Sequence, residues 1–217
     1  MAAERGPMTE TAPSPEAVIE LPAPQTAGSQ SVESAIAARR SRREFQSGPI
    51  ELGDVSQLLW AAQGETDADG HRAAPSAGAT YPLEVFCLVA RDGVPELDAG
   101  IYRYRPASHS LVQVGSEPVQ TELRAASYDQ AWVEEAPVAL LIAGVEERTA
   151  REYGARAGEL YVPMEAGHVG ENIHLQVESL GLATVSVGGF EDTAVADVMG
   201  FEDERPLAIY PIGQRAD

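Results

Sequence analysis

The 217-residue chain contains no lysine, and its 15 basic residues, all of them arginine, stand against 34 acidic residues. A formal net charge of −19 would repel a polyphosphate backbone, which argues against nucleic acid as a partner. An acidic excess without lysine is typical of a salt-adapted or GC-rich proteome and concerns solubility rather than substrate. The sequence also lacks a run of about 18 apolar residues, which excludes a membrane-spanning helix.

The chain has a single cysteine, so a disulfide framework within one chain is excluded. Cys87 lies in the apolar run LEVFCLVA, which favours a buried, reduced thiol. The N-terminus lacks the basic start and apolar core that are typical of an export signal. We therefore expect a soluble protein of the cytoplasm.

Composition and length predict one globular domain. Hydrophobic residues make up 44% of the sequence, enough for a sizeable core. Residues 1–17 are rich in Ala, Pro, Thr and Glu without periodicity, which predicts a disordered tail. We expect residues 18–217 to form the single domain.

Three segments show helical patterns. Ser31 is suited to cap a helix that runs to about Arg40, and a second helix fits residues 54–63. A third pattern covers residues 147–180 and is interrupted at Pro163.

Strand patterns separate these helices. Short apolar runs predict buried strands at residues 83–90 and 136–145, and later strands are predicted at 182–189 and 207–213. Residues 100–115 alternate apolar and polar side chains on both sides of a Pro-Ala-Ser-His turn, which indicates a hairpin. The pattern predicts an α+β or α/β fold with one central sheet.

Four arginines lie within residues 39–43, in the stretch IAARRSRREF. On a continued first helix, Arg39 and Arg43 share the face of Val32 and Ile36, so an apolar face would end in two guanidinium groups. A half-buried guanidinium needs an anion, and its planar fork of donors suits a phosphate.

Arg40 and Arg42 would point away from that face, where water can solvate them. Arginines in a last helical turn also offset the helix dipole, bind free carbonyls or pair with carboxylates. The spacing alone does not decide between these roles and an anion site.

Two glycine-containing loops offer open backbone. Small residues around Ser76 in APSAGATYP would let a flat ligand lie against the chain, although a plain loop explains the same residues. In VSVGGFED, Gly188 and Gly189 expose amide groups that can meet an anion or a planar cofactor, and a tight strand-to-helix turn is the alternative.

Taken in order, these pieces resemble the SagB-type dehydrogenase branch of the nitroreductase-like FMN-dependent oxidoreductases. The resemblance covers residues 18–213 and runs through the arginine stretch, APSAGATYP, EYGARAGELY, EAGHVGENIHLQVESLGL and VGGFED. It implies an α+β fold with a central, mostly antiparallel sheet flanked by helices. It also implies an intertwined homodimer with one FMN in each of two clefts between the subunits.

The resemblance assigns the arginine stretch to the cofactor. The Arg-x-Ser-x-Arg motif of the family falls on Arg39, Ser41 and Arg43, which would contact the FMN phosphate, ribityl chain and ring edge. Arg40 would contribute through its main chain.

The two loops and the C-terminus complete the implied FMN site. The family's Pro-Ser-small-Gly motif would reach the flavin of the other subunit, and here it comprises Pro75, Ser76, Ala77 and Gly78. The amides of Gly188 and Gly189 would face the N5 and O4 edge of the flavin. Family members usually place a basic residue after the final glycine, and here Gln214 precedes Arg215, the candidate phosphate ligand.

One position departs from the azoline-oxidising members of this branch. They open a helix with Lys-Tyr, and the matching residues here are Glu152 and Tyr153. Tyr153 is the candidate proton donor or acceptor, with a packed helical tyrosine as the alternative. We expect NADH, NADPH or an organic substrate to reduce FMN before a second acceptor takes the electrons; a flavin- or peptide-binding subunit without turnover is the alternative.

The segment EAGHVGENIH carries two Glu-x-x-His pairs, Glu165/His168 and Glu171/His174, a spacing that carboxylate-bridged metal sites use. Successive steps of three residues walk around a helix, so the four side chains do not converge on one ion. We therefore expect no metal. The apolar positions of this segment instead predict a core stripe, formed by Val162, Ala166, Val169, Ile173, Val177 and Leu180.

Overall fold

The computed structural model describes residues 18–216. The predicted disordered tail, residues 1–17, lies outside the described residues.

A single antiparallel sheet forms the centre of the described part of the chain. Its strands lie in the order β1-β5-β4-β3-β6-β8-β2, with β7 also paired to β8, and every pairing is antiparallel. The strands are β1 Val18–Glu20, β2 Phe45–Gln46, β3 Leu83–Val89, β4 Gly100–Arg105, β5 Ser110–Gly115, β6 Val138–Gly144, β7 Leu182–Thr184 and β8 Arg205–Arg215. The prediction of an α+β fold around a mostly antiparallel sheet is confirmed.

Helices cover both faces of this sheet. They are α1 Val32–Ala38, α2 Leu52–Gln63, α3 Gln120–Ala126, α4 Ala131–Glu135, α5 Glu146–Tyr153, α6 Ala155–Leu180 and α7 Asp192–Met199. Within residues 18–216, no helix is long and apolar enough to cross a membrane.

The pleat of β3 divides the core into two clusters. Val85 and Cys87 belong to the cluster beneath α2 and α6, whereas Phe86 and Leu88 belong to the cluster beneath α3, α4 and α7. Cys87 is completely buried, as predicted, and burial raises the pKa of its thiol to about 12. The predicted stripe of α6 is also confirmed, since five of its six residues are buried and the sixth is partly buried.

The first helix begins as predicted but ends early. The Ser31 side chain accepts a hydrogen bond from the Ser34 amide at 3.2 Å and caps α1. The helix stops at Ala38 because Arg39 takes an extended conformation, with φ −50° and ψ 123°. The prediction that Arg39 and Arg43 share one helical face is therefore wrong.

The long helical pattern breaks at a glycine rather than at the proline. Gly154, with φ 84° and ψ 165°, separates α5 from α6 in a conformation that only glycine adopts easily. Pro163 lies inside the continuous helix α6. The loss of one backbone hydrogen bond at Pro163 is offset by the buried packing of Val162 and Ala166 on either side of it.

Candidate functional site

The arginine segment lies against the ends of two strands. The Arg42 amide donates to the Thr184 carbonyl at 2.8 Å, at the end of β7. Immediately afterwards Phe45 pairs with Arg215, the last residue of β8. The segment is therefore held in an extended path across this edge of the sheet.

The arginines of this segment have different environments. Arg40 donates from Nη1 to the Ala37 and Arg39 carbonyls, at 3.0 and 2.8 Å, and so closes the end of α1. The guanidinium of Arg43 lies 5.4 Å from the centroid of the Trp132 ring. Arg39 is half-buried and faces His174: burial lowers the pKa of that imidazole, and the charge of Arg39 lowers it further.

Arg42 is not solvated as predicted but forms an ion pair with Glu178, whose side chain is only 2% exposed. Arg215 pairs with the other oxygen of the same carboxylate. Burial alone would raise the pKa of Glu178, but the hydrogen bonds and charges of Arg215 and Arg42 hold it below its usual value. The buried Nε of Arg215 has no hydrogen-bond partner in the described part of the chain.

The paired glycines are connected to the arginine segment through α4. Gln130 donates from Nε2 to the Gly189 carbonyl at 2.8 Å and so ties the loop to the start of α4, which also carries Trp132. Gly188 and Gly189 are exposed, and a side chain at Gly188 would meet nothing within 4 Å. We call residues 39–43 with Gly188 and Gly189 the arginine face.

The second predicted loop is tightly turned. Gly78, Ala79 and Tyr81 all have positive φ, at 59°, 52° and 44°. Ser76 accepts a hydrogen bond from the Tyr81 amide at its Oγ, at 3.0 Å, which closes the turn. Such conformations persist only where the surroundings hold them.

Tyr153 lies directly over this loop. The structure therefore brings together two candidate site regions, the loop around Gly78 and the end of α5, that are far apart in the sequence. A Cβ atom at Gly78 would overlap the Tyr153 hydroxyl. Tyr153 is 47% exposed, and its ring meets that of Tyr161 edge to face at 5.9 Å. We call Pro75–Gly78 with Tyr153 the loop face.

The two faces lie against different parts of the helix α6. Ser76, in the loop face, acts on the pKa of Glu165, whereas Arg42, in the arginine face, pairs with Glu178. Both carboxylates lie on α6, and at about 1.5 Å per residue their separation along the helix is about 20 Å.

A buried polar cluster lies behind the loop face, and sequence reasoning missed it. Arg72 donates from Nη1 to the Gln63 Oε1 at 2.9 Å, and its guanidinium lies 4.3 Å from the centroid of the Tyr81 ring. Glu165, which the sequence presented only as a metal-ligand candidate, is 3% exposed. Burial raises its pKa, while the neighbouring Ser76 hydroxyl, the Gln63 amide and the Arg72 charge oppose that shift.

The two Glu-x-x-His pairs do not converge. Glu165 and His174 are buried, whereas His168 and Glu171 are exposed. Of the two nearby glycines, Gly170 permits a close approach, since a Cβ there would overlap the Tyr210 hydroxyl.

A different acidic group has its potential ligand atoms within 4.8 Å of one another: Asp67, Asp69 and His71, all exposed. The Asp67 carboxylate already accepts hydrogen bonds from the Asp69 and His71 amides and contacts the His71 ring. Turn closure therefore accounts for this group without an ion.

Comparisons with known proteins agree with this architecture. The profile of the nitroreductase family matches residues 36–214. A Methanocaldococcus jannaschii protein described as a candidate nitroreductase is 44% identical over 186 residues, 86% of this chain and 92% of that protein. The microcin B17-processing protein McbC of Escherichia coli is 30% identical over 163 residues, 73% of this chain and 59% of that protein.

Among solved structures, a candidate nitroreductase from Ralstonia eutropha superposes with a TM-score of 0.81 at 30% identity, covering 98% of both chains. The profile covers most of this chain, and the M. jannaschii relative matches nearly end to end. The chain therefore belongs to the nitroreductase family and is an oxidoreductase.

Proposed function

We propose that the protein is an FMN-dependent oxidoreductase of the SagB-type branch, active as a homodimer. The observation that carries the proposal is the arginine face. Among the described residues, Arg39 and Arg43 form no ion pair with a carboxylate, although the chain holds 34 acidic residues. Two unpaired guanidiniums in so acidic a chain indicate an external anion, and a flavin phosphate supplies one.

The residues present fit FMN. The exposed guanidinium of Arg43, the half-buried one of Arg39 and the unpartnered Nε of Arg215 supply donors for the phosphate. The open backbone at Gly188 leaves room for a flat ring to approach the main chain. The cofactor, when bound, supplies the hydride-transfer chemistry.

The chain's own residues would bind the cofactor, orient its ring and stabilise its reduced form. Arg39 and Arg43 hold the phosphate, and cations near the ring stabilise the negative charge that reduction brings. The amides of Gly188 and Gly189 would orient the reactive N5 and O4 edge of the flavin ring. Tyr153, exposed above Gly78, is placed to hold or move a proton at its hydroxyl.

A dimer explains why these residues are split between two faces. The loop face of one protomer would complete the arginine face of its partner. Five large apolar side chains of α1 and α6 are between 38% and 64% exposed and would be covered by the second copy: Val32, Ile36, Leu160, Tyr161 and Met164.

A second candidate function is that of a flavin- or peptide-binding subunit without turnover. Glu152 favours it, because the azoline-oxidising members of the branch carry a lysine at that position. The similarity to McbC, a microcin-processing protein, is consistent with a peptide substrate or partner for either function.

The two functions are separated by a spectrum and an anaerobic titration. We expect the purified protein to show a flavin absorbance band, or to acquire one with added FMN, and NADH or NADPH to bleach it under anaerobic conditions. A bound flavin that neither nucleotide reduces would instead favour a donor-independent dehydrogenase or the subunit without turnover. A colourless monomer that takes up no FMN would refute both.

A further inference from the structure

The turn between α3 and α4, residues 127–130, has a strained backbone. Tyr128 and Asp129 follow one another with positive φ, at 52° and 61°. An aspartate tolerates this left-handed region, whereas a tyrosine adopts it only with strain. Such strain persists where the surrounding contacts hold it, and it is common beside functional sites. The contacts that hold this turn therefore indicate what it does.

Three hydrogen bonds join the turn and the end of α3 to the loop of the paired glycines. The Glu191 amide donates to the Ala126 carbonyl at 2.9 Å. The Tyr128 hydroxyl donates to the Glu191 Oε1 at 2.6 Å. The Gln130 Nε2 donates to the Gly189 carbonyl at 2.8 Å, although the two residues are 59 positions apart in the chain. These bonds fix the two segments against each other.

The contact of Gln130 with the glycine loop depends on its amide nitrogen. The same Nε2 also donates to the Ser127 carbonyl, at 2.9 Å. Both partners are carbonyl oxygens, which accept hydrogen bonds and cannot donate them, so both hydrogens of the side-chain amide are used. A side chain of the same length without N–H groups would lose both bonds.

The paired glycines lie between two anchors of the main chain. On one side Val187 exchanges backbone hydrogen bonds with Ile209 of β8, at 2.8 and 2.9 Å, and on the other side the chain is bonded to the end of α3. Glycines between such anchors keep more backbone freedom than any other residue would. Gln130 covers one of them, since a Cβ at Gly189 would lie 3.7 Å from its Nε2, whereas a Cβ at Gly188 would meet nothing within 4 Å. The turn therefore supports the glycine loop from one side and leaves the other side open.

We propose that Gln130 is a positioning residue: its side-chain amide holds the Gly189 carbonyl and thereby sets the direction in which the glycine amides face the flavin edge. This inference rests on the proposed FMN site. Amides at the O4 edge donate to an oxygen that gains negative charge on reduction, so their alignment stabilises the reduced ring. The phosphate is held elsewhere, by Arg39 and Arg43. Loss of the Gln130 amide should therefore change how easily the flavin is reduced and leave its affinity nearly unchanged.

The experiment compares Gln130→Met and the control Gln113→Met with the wild-type chain. Methionine keeps the length of glutamine without its donors and adds no charge. Gln113 is a half-buried residue of β5, which lies four positions from β8 in the strand order. FMN affinity is measured by quenching of flavin fluorescence, and the midpoint potential of bound FMN by reductive titration with dithionite and a reference dye.

We expect Gln130→Met to bind FMN within about threefold of wild type. Its two-electron reduction should become about 3- to 10-fold less favourable, the scale of one lost hydrogen bond, which lowers the potential by about 15 to 30 mV. Gln113→Met should change neither the affinity nor the potential.

A second measurement needs no flavin. Hydrogen exchange of the backbone amides, followed by mass spectrometry, reports the freedom of the glycine loop in the cofactor-free chain. Gln130→Met should speed exchange in the peptide that contains Gly188 and Gly189 about 3- to 10-fold relative to Gln113→Met. Gln130→Glu keeps the shape of glutamine but has no donor when ionised, so it should show the same increase and is the check if Gln130→Met does not fold.

An unchanged potential in Gln130→Met would overturn the positioning role, even in a variant that unfolds at a lower temperature, because a purely structural role would lower stability without moving the potential. Unchanged exchange of the glycine loop in Gln130→Met and Gln130→Glu would overturn it as well. A wild-type chain that binds no FMN would refute the proposed function instead, and the exchange measurement would still show whether Gln130 restrains the loop.

Discussion

The phenol of Tyr153 rests on the backbone of Gly78, so closely that a methyl group at Gly78 would overlap the Tyr153 hydroxyl. Gly78 also has a φ of 59°, which an L-residue adopts at a cost. Glycine is thus required at this position for two reasons: the turn needs a positive φ, and the Tyr153 ring leaves no room for a side chain.

Gly78→Ala should therefore lower stability more than Gly200→Ala. Gly200 has a similar φ of 67°, but a side chain there meets nothing within 4 Å. The backbone cost of about 1 kcal/mol is common to both, and displacing the half-exposed Tyr153 ring adds up to about 1 kcal/mol at Gly78. Denaturant unfolding measures the free energy of unfolding of both variants. Adding Tyr153→Ala should remove the extra cost at Gly78, and purely additive effects of the two substitutions would contradict the contact.

Arg39→Ala should weaken FMN binding by about 1.5 to 3 kcal/mol, the scale of a charged hydrogen bond, which corresponds to a 10- to 150-fold rise in the dissociation constant. The matched control is Arg91→Ala, which removes the same charge from an exposed residue that forms an ion pair with Glu117 at 3.8 Å. Fluorescence titration with FMN compares the two variants. Equal affinity in both would show that Arg39 serves something other than the cofactor.

Glu178→Gln should make the protein less stable at neutral pH, by about 2 to 4 kcal/mol, because Arg42 and Arg215 lose the carboxylate they share. The pKa of Glu178 is lowered in the folded protein, so its contribution is present above the unfolded pKa and is lost as the pH falls through the folded pKa. The difference between wild type and variant should shrink in acid. Chemical denaturation at several pH values tests this, and a difference that is constant with pH would contradict it.

The sequence predicts a structural feature well when the residues that form it are close together in the chain. The Ser31 cap, the 100–115 hairpin and the buried stripe of α6 follow from neighbouring residues, and all three were predicted. The short helices α3, α4 and α7 were not, since five to eight residues give too few helical turns for a clear period.

The parts of the site that sequence could not predict are contacts between distant residues. Arg42 and Glu178 are 136 positions apart, and no local pattern marks them as partners. The end of α1 at Ala38 was missed for the same reason, because the Arg42 amide is drawn to Thr184 of β7. The family motif located the arginine and loop segments, whereas the polar cluster around Glu165 needed the fold.

The proposed dimer depends on the exposed apolar side of α1, where only Ala35 is buried. Ile36 is 56% exposed there, so burying its exposed part against a second copy would contribute about 1 to 1.5 kcal/mol per protomer. A symmetric interface counts this twice, and Ile36→Asp should therefore raise the dimer dissociation constant at least about 30- to 150-fold. Sedimentation equilibrium measures it, with Val114→Asp, a 51% exposed residue of β5, as the control. Ile36→Asp should release FMN together with the partner, because the loop face reaches the cofactor only across the interface. A dimer that survives Ile36→Asp unchanged would show that α1 does not form the contact.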